Sequence, residues 1–164
     1  MDTWFIGVDP GLYGYIALLN PDFELELKSN PTIDNDYDPA MIVKTLQELK
    51  ASARGRRVVA CIERVQAFPK IGVVTNCKQF YCAGIFHTAF HALQIPFTIV
   101  RSVEWKKKVL KGYPTKQKSS SVIFVDQRFP ELELTRERKK DQDNIADAVC
   151  IALYSRYQHL GVEL

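Results

Sequence analysis

Two apolar runs constrain this chain more than any other feature, because each ends in a single carboxylate. In "WFIGVDPGLYGYIALL" the residues Trp4, Phe5, Ile6 and Val8 lead to Asp9, and in "RRVVACIE" the residues Val58 to Ile62 lead to Glu63. Runs of this length and composition predict buried strands. Asp has poor strand propensity, and an unpaired carboxylate is expensive to bury. Pro10-Gly11 is a turn signal and Tyr15 to Leu19 reads as a second strand, so a hairpin places Asp9 at the lip of a sheet. An Asp there also serves to bond the turn's own backbone, and that alternative stands while Asp9 is taken alone.

The remaining pattern sets the architecture. "FELELK" alternates like a third strand, and Ser29 to Asp38 reads as a loop. Asp38-Pro39 predicts a helix start, with Met41, Ile42, Thr45, Leu46 and Leu49 on one face. After the Glu63 strand come a helix over Thr75 to Leu93 and a fifth strand, "IPFTIV", ending at Val100. Two shorter helices follow over Ser102 to Leu110 and Thr115 to Phe129, then a polar loop over 130–142 and a last helix over Asp143 to His159. Three consecutive strands suit an antiparallel meander, and strands separated by helices suit parallel pairing. The expectation is an α/β fold with a mixed five-stranded sheet flanked by helices, in one domain over residues 1–164. If the first and fourth strands are neighbours and parallel, Asp9 and Glu63 end up side by side at one lip.

The last helix adds acids to that lip. In "DQDNIADAVCIALYSRY", Asp143 and Asp147 stand four apart and share a helical face. Asp143 also fits as the helix N-cap, and both readings stay open. Asp147 lies a turn further in, amid alanines and apolar residues. Four acids without a His or Cys partner suit a hard cation, Mg²⁺ or Mn²⁺. Two such ions, roughly 3.5–4 Å apart, activate water and stabilise the leaving oxygen of a phosphodiester.

Charge distribution points to a polyanion. The chain carries a net +3, yet residues 101–140 hold twelve Lys and Arg against five Asp and Glu. This block includes Lys106, Lys107, Lys108, Lys111, Lys116 and Lys118, and it reads as a phosphate-backbone track. A solvated lysine-rich surface is the plainer explanation. No apolar run reaches membrane-spanning length, and "MDTWFIG" lacks the basic start of a signal peptide, so a cytoplasmic location and no membrane partner are expected. Cys61 and Cys150 fall in apolar runs and read as reduced core residues. His87 and His91 stand at i,i+4 without the glutamate of a metalloprotease motif, and they read as structural.

With these pieces in hand, the chain resembles the RuvC-type Holliday-junction resolvases, in their phage-like branch, of the ribonuclease H-like fold. The resemblance rests on "GVDPGLYGYIALL", "CIERVQAFPKIGVV", "VEWKKKVLKGYPTKQKSSSVIFVDQRFP" and "RKKDQDNIADAVCIALY", which span nearly the whole chain in the family's order. It implies a homodimeric, metal-dependent endonuclease that nicks four-way and other branched DNA symmetrically, associated with nucleoid or phage DNA. It implies Asp9, Glu63 and Asp147 as catalytic metal ligands, with two ions per site. Family members often carry an acid or His three residues before the last Asp. That position is Asn144 here, so the fourth ligand is expected at Asp143, with Asn144 competing. Lys107 and Lys118 match the family's paired lysines, expected to hold the scissile phosphate and counter its developing charge. Phe68, in the loop after Glu63, matches an aromatic that stacks on a base at the crossover. The side of the Thr75 to Leu93 helix bearing Phe80, Ala83, Gly84, His87 and His91 is the expected dimer seam. Three other readings compete. A sugar-kinase-like ATP site would need two domains, for which 164 residues are too few. The others are a nuclease of the same fold acting on RNA or an RNA–DNA hybrid, and a non-catalytic branched-DNA binder.

Overall fold

Strand β1 (Thr3–Val8) lies at the centre of the sheet, antiparallel to β2 (Tyr15–Leu19) on one side and parallel to β6 (Arg57–Glu63) on the other. The computed structural model that shows this describes residues 2–67, 69–70, 72–114 and 120–161. Strand β3 (Leu25–Ser29) pairs antiparallel with β2, and β7 (Phe97–Val100) pairs parallel with β6. The order β3-β2-β1-β6-β7 is the expected mixed five-stranded sheet.

Strand alternation divides the core into two layers. Phe5, Ala17, Leu19, Val59 and Cys61 pack toward α3 (Ser102–Val109), α4 (Ser120–Arg128) and α5 (Lys139–Leu160). Ile6, Val8, Ile16, Leu18, Ala60 and Ile62 pack toward α1 (Pro39–Ser52) and α2 (Val73–Ala92). Helix α1 starts as expected, with the Asp38 carboxylate accepting from the Met41 N–H at 3.0 Å. Helix α5 crosses β1 at very short range. A Cβ built on Gly7 would stand 2.2 Å from the Ala152 nitrogen and 2.3 Å from the Ala148 oxygen, so only glycine fits that seam. The alanines of α5 are therefore an approach surface that fixes the helix over the sheet.

Three segments depart from the sequence expectations. The loop over Ser29 to Asp38 folds back on itself as a small ribbon, β4 (Thr32–Ile33) and β5 (Asp36–Tyr37). The stretch over 130–142 holds two 3₁₀ turns, Pro130–Leu132 and Leu134–Arg136, the second anchored by buried Leu134. Helix α5 begins at Lys139, so Asp143 is not its N-cap; that position is Arg138. Asp141 supports the earlier start, because its carboxylate lies in the first turn, favourable to the helix dipole, and accepts from Arg138 Nε at 2.7 Å. Of the helix expected over Thr115 to Phe129, Ser120–Arg128 is helical, and residues 115–119 lie outside the described part. Among the described residues no helix is long and apolar enough to cross a membrane.

Candidate active site

The register of β1 against β6 brings the first two acids together. Val8 pairs with Ile62, so Asp9 and Glu63 follow side by side at the same sheet end. Phe5 and Gly7 on β1 and Val59 and Cys61 on β6 face the α5 layer, and one more step of the two-residue period from Gly7 and Cys61 reaches Asp9 and Glu63. Asp147 stands on α5 directly before Ala148, which touches β1 at Gly7. Charge coupling reports the convergence: Asp147 and Glu63 both act on Asp9, and Asp147 acts on Glu63.

Several contacts hold this arrangement. The Asp9 N–H donates to the Tyr15 carbonyl at 3.1 Å, and the Gly11 N–H donates to the Asp9 carbonyl at 3.0 Å. Buried Asn30 donates from Nδ2 to the carbonyls of Asp9 at 2.9 Å and Gly11 at 2.8 Å. Gly14 is packed so closely that a Cβ would stand 2.0 Å from the Asp9 oxygen. Glu63 is held by Trp105, whose indole N–H donates to Oε2 at 2.6 Å. Lys106 Nζ lies 3.9 Å from Asp147 Oδ2.

Burial and mutual repulsion make the acids reluctant to ionise. Asp9 is pushed up to about 8, first by burial and then by Asp147 and Glu63, with Lys106 opposing. Glu63 is raised by burial and Asp147, against the Trp105 hydrogen bond and Lys106. Asp147 is raised by burial, against Lys106 and Ser121, with Asp143 adding to the rise. Among the described residues, one ammonium, Lys106, acts on all three carboxylates, a charge imbalance that a divalent cation would relieve. Among the described residues no three His, Cys, Asp or Glu side chains are drawn closely enough to hold a metal ion as they stand. The donor chemistry nonetheless fits a hard cation: oxygen ligands, negative charge and no imidazole or thiolate.

A cleft of about 520 Å³ opens beside the acids. Asp9, Glu63, Tyr13, Arg64, Lys78 and Asn144 are among the residues that line it. Asn144 donates from Nδ2 to the Tyr13 carbonyl at 2.7 Å, tying α5 to the β1–β2 turn. Asp143 is placed differently: it acts on Asp147 and is not part of the cleft wall. The basic block also divides. Lys106 faces the acids, Lys107 is exposed to solvent, and Lys108 turns away over the Tyr157 ring at 3.9 Å. Lys111 is exposed beyond the end of α3. The expectations for Lys116, Lys118 and Phe68 fall outside the described residues. His87 and His91 both pack on the Phe97 ring, at 5.3 Å and 5.2 Å, as the structural reading expected.

Asn30 and Trp105 are the residues that sequence reasoning missed. Asn30 sits in a stretch that reads as plain loop, and nothing in the sequence ties it to Asp9. Trp105 had a signal, a lone tryptophan next to lysines, but the indole donor becomes meaningful only once β6 lies beside α3.

A five-stranded sheet of this order and sense, with helices on both faces, has the ribonuclease H-like architecture in its RuvC-type arrangement. Among solved structures the chain is similar to Thermus thermophilus RuvC in complex with a Holliday junction substrate, with a TM-score of 0.65, 18% identity and 96% of each chain covered. Thermus thermophilus RuvC alone gives 0.61 at 19% identity, again over 96% of each chain. The yeast mitochondrial Holliday junction resolvase Ydc2 gives 0.61 at 12% identity, over 94% of this chain and 78% of the other. No family model and no curated protein matches the sequence.

Proposed function

We propose that this chain is a metal-dependent endonuclease that cleaves branched DNA, four-way junctions above all. The observation that carries the reading is the meeting of Asp9, Glu63 and Asp147 at one sheet end in a RuvC-type fold. These three carboxylates would hold Mg²⁺, with Mn²⁺ as a substitute and two ions per site. When bound, the ions supply Lewis-acid stabilisation of the phosphodiester oxygens and a nucleophilic water. The chain's own groups do the positioning. Asn30 fixes the Asp9 backbone, Trp105 fixes Glu63, and the Gly7 seam sets Asp147 against both. Lys106, 3.9 Å from Asp147, is a lysine placed to meet a phosphate and offset charge on its oxygens. Lys107 and Lys111 extend the basic surface toward flanking DNA, and Lys116, Lys118 and Phe68 are proposed as further DNA-binding residues.

Paired nicks require two sites, and a homodimer would provide them. An apolar groove of about 410 Å³ between α1 and α2, lined by Pro39, Val43, Tyr81, Gly84, Ile85 and Ala89, supports pairing through a face that shares only Gly84 with the expected seam, since Ala83 is buried and His87 and His91 pack on Phe97. Asp143 remains the proposed fourth ligand, with Asn144 the better placed competitor beside the cleft. Cytoplasmic action on nucleoid or phage DNA belongs to the same proposal.

The test is a labelled synthetic four-way junction with Mg²⁺, run beside a linear duplex and an RNA–DNA hybrid. Nicks at symmetric positions near the crossover are expected, and Asp147→Asn should abolish them while keeping junction binding in Ca²⁺. Preferential cleavage of the hybrid would overturn the substrate assignment, and wild-type rates in Asp147→Asn would overturn the site.

A further inference from the structure

Trp105 touches two of the charged groups at the candidate site from a fully buried position. It is 0% exposed and packs in the core layer formed by α3, α4 and α5. Its N–H donates to Glu63 Oε2 at 2.6 Å. The same indole lies under Lys106, whose Nζ is 4.9 Å from the ring centroid. That Nζ is 3.9 Å from Asp147 Oδ2. One side chain therefore orients a carboxylate on β6 and supports the ammonium that faces a carboxylate on α5. The capping contact at the start of α3, Arg101 N–H to Glu104 at 3.0 Å, fixes the helical turn that delivers both Trp105 and Lys106.

We infer that Trp105 is a positioning residue for the ion-binding carboxylates, holding Glu63 in the orientation that receives a divalent cation. The inference rests on the metal-site reading above. Indole is a donor only, so it can hold the carboxylate without competing for the cation. A hydrophobic core filler of the same shape would pack as well and leave Glu63 free to rotate. The hydrogen bond adds what packing cannot, a fixed rotamer for one ligand before the ion arrives. Loss of such an outer partner weakens metal affinity by roughly 10–100-fold.

The test removes the N–H alone. Replacing Trp105 by benzothienylalanine keeps the bicyclic shape and puts sulfur where the indole N–H was. Binding of Mn²⁺ to the DNA-free protein is measured by the paramagnetic resonance of the free ion, and melting is followed in EDTA. The Mn²⁺ dissociation constant should rise roughly tenfold with little change in melting temperature. Trp105 should itself report the ion: in a Trp4→Phe background, where it is the one remaining tryptophan, its emission should change saturably with Mn²⁺. Glu63→Gln should remove most of that change. Unchanged Mn²⁺ affinity in the benzothienyl protein, with saturable binding by the wild type, would overturn the role of Trp105 and leave the site standing. No saturable binding by the wild type would overturn the site and this inference together.

Discussion

The largest measurable consequence of the acid cluster is a stability cost in metal-free protein. Asp9 is pushed up to about 8 by burial, Asp147 and Glu63, against an ordinary value of 3.8. Between those values the folded chain keeps a proton that the unfolded chain has released. Stability then falls as pH rises, by about 1.4 kcal/mol per unit, fully present below about pH 4 and lost above about pH 8. From about pH 5 to 7.5 this comes to about 3 kcal/mol. Asp9 is only half-buried, so solvent screening reduces the expected value to about 2 kcal/mol. At this chain length that is roughly 4–8 °C in melting temperature. Asp9→Asn removes the titrating group and relieves repulsion of Glu63 and Asp147. Thermal melts in EDTA at several pH values should therefore show the variant gaining on the wild type as pH rises, though it does not cleave. Saturating Mg²⁺ at about pH 7.5 should return the wild type toward the variant. Parallel melting curves for the two proteins across the range would refute the reasoning, because they would mean that Asp9 has the same proton affinity folded and unfolded.

Three further outcomes are expected. Gly7→Ala pushes a methyl into the backbone of Ala148 and Ala152, and should cost about 3 kcal/mol or more, read as a lower urea midpoint together with a loss of cleavage. Lys106→Ala should slow single-turnover cleavage about a hundredfold, whereas Lys107→Ala should mainly reduce the log–log salt slope of binding by about 0.9; the reverse ranking would return Lys107 to the site. Asp143→Asn should raise the Mg²⁺ needed for cleavage, as removal of the proposed fourth ligand would; a larger effect of Asn144→Ala, which frees the Tyr13 carbonyl beside the cleft, would move that role to Asn144.

Which parts of this were legible in the sequence follows from the range of the forces involved. Strands β1, β2, β6 and β7 announce themselves because burying apolar side chains on a pleated sheet leaves a dense local pattern. The parallel pairing of β1 with β6 entered the sequence reading only as a condition, which the structure meets, and with it Asp9 and Glu63 follow side by side. The start of α5 did not follow. Asp143 looks like a cap because Asp caps helices, yet Asp141 pairs with Arg138 and Leu134 anchors the preceding turn, so the helix gains a full turn before Asp143. The lysine register was not legible for a related reason. Lys106, Lys107 and Lys108 are equivalent in composition, and only the burial of Trp105 decides which neighbour faces inward.

That last point explains why the site stands where it does. The acids cannot be brought together by their own interactions, because they repel. They are forced together by apolar packing on either side: Gly7 against Ala148 and Ala152 fixes α5, and Trp105 in the core fixes α3. Each packing residue is sequence neighbour or near-neighbour to a charged one, Gly7 to Asp9, Ala148 to Asp147, Trp105 to Lys106. The hydrophobic gain of the seam, spread over two helices and three strands, thus offsets the electrostatic cost of the cluster. A mutation that loosens the seam should therefore lower activity before it unfolds the chain, as the acids drift apart and their proton affinities return toward ordinary values. For a milder seam change than Gly7→Ala, such as Ala152→Ser, the expected sign is a flatter pH dependence of metal-free melting alongside a higher Mg²⁺ requirement. An unchanged Mg²⁺ requirement with a flattened pH profile would show that the ions, not the seam, set the spacing of the acids.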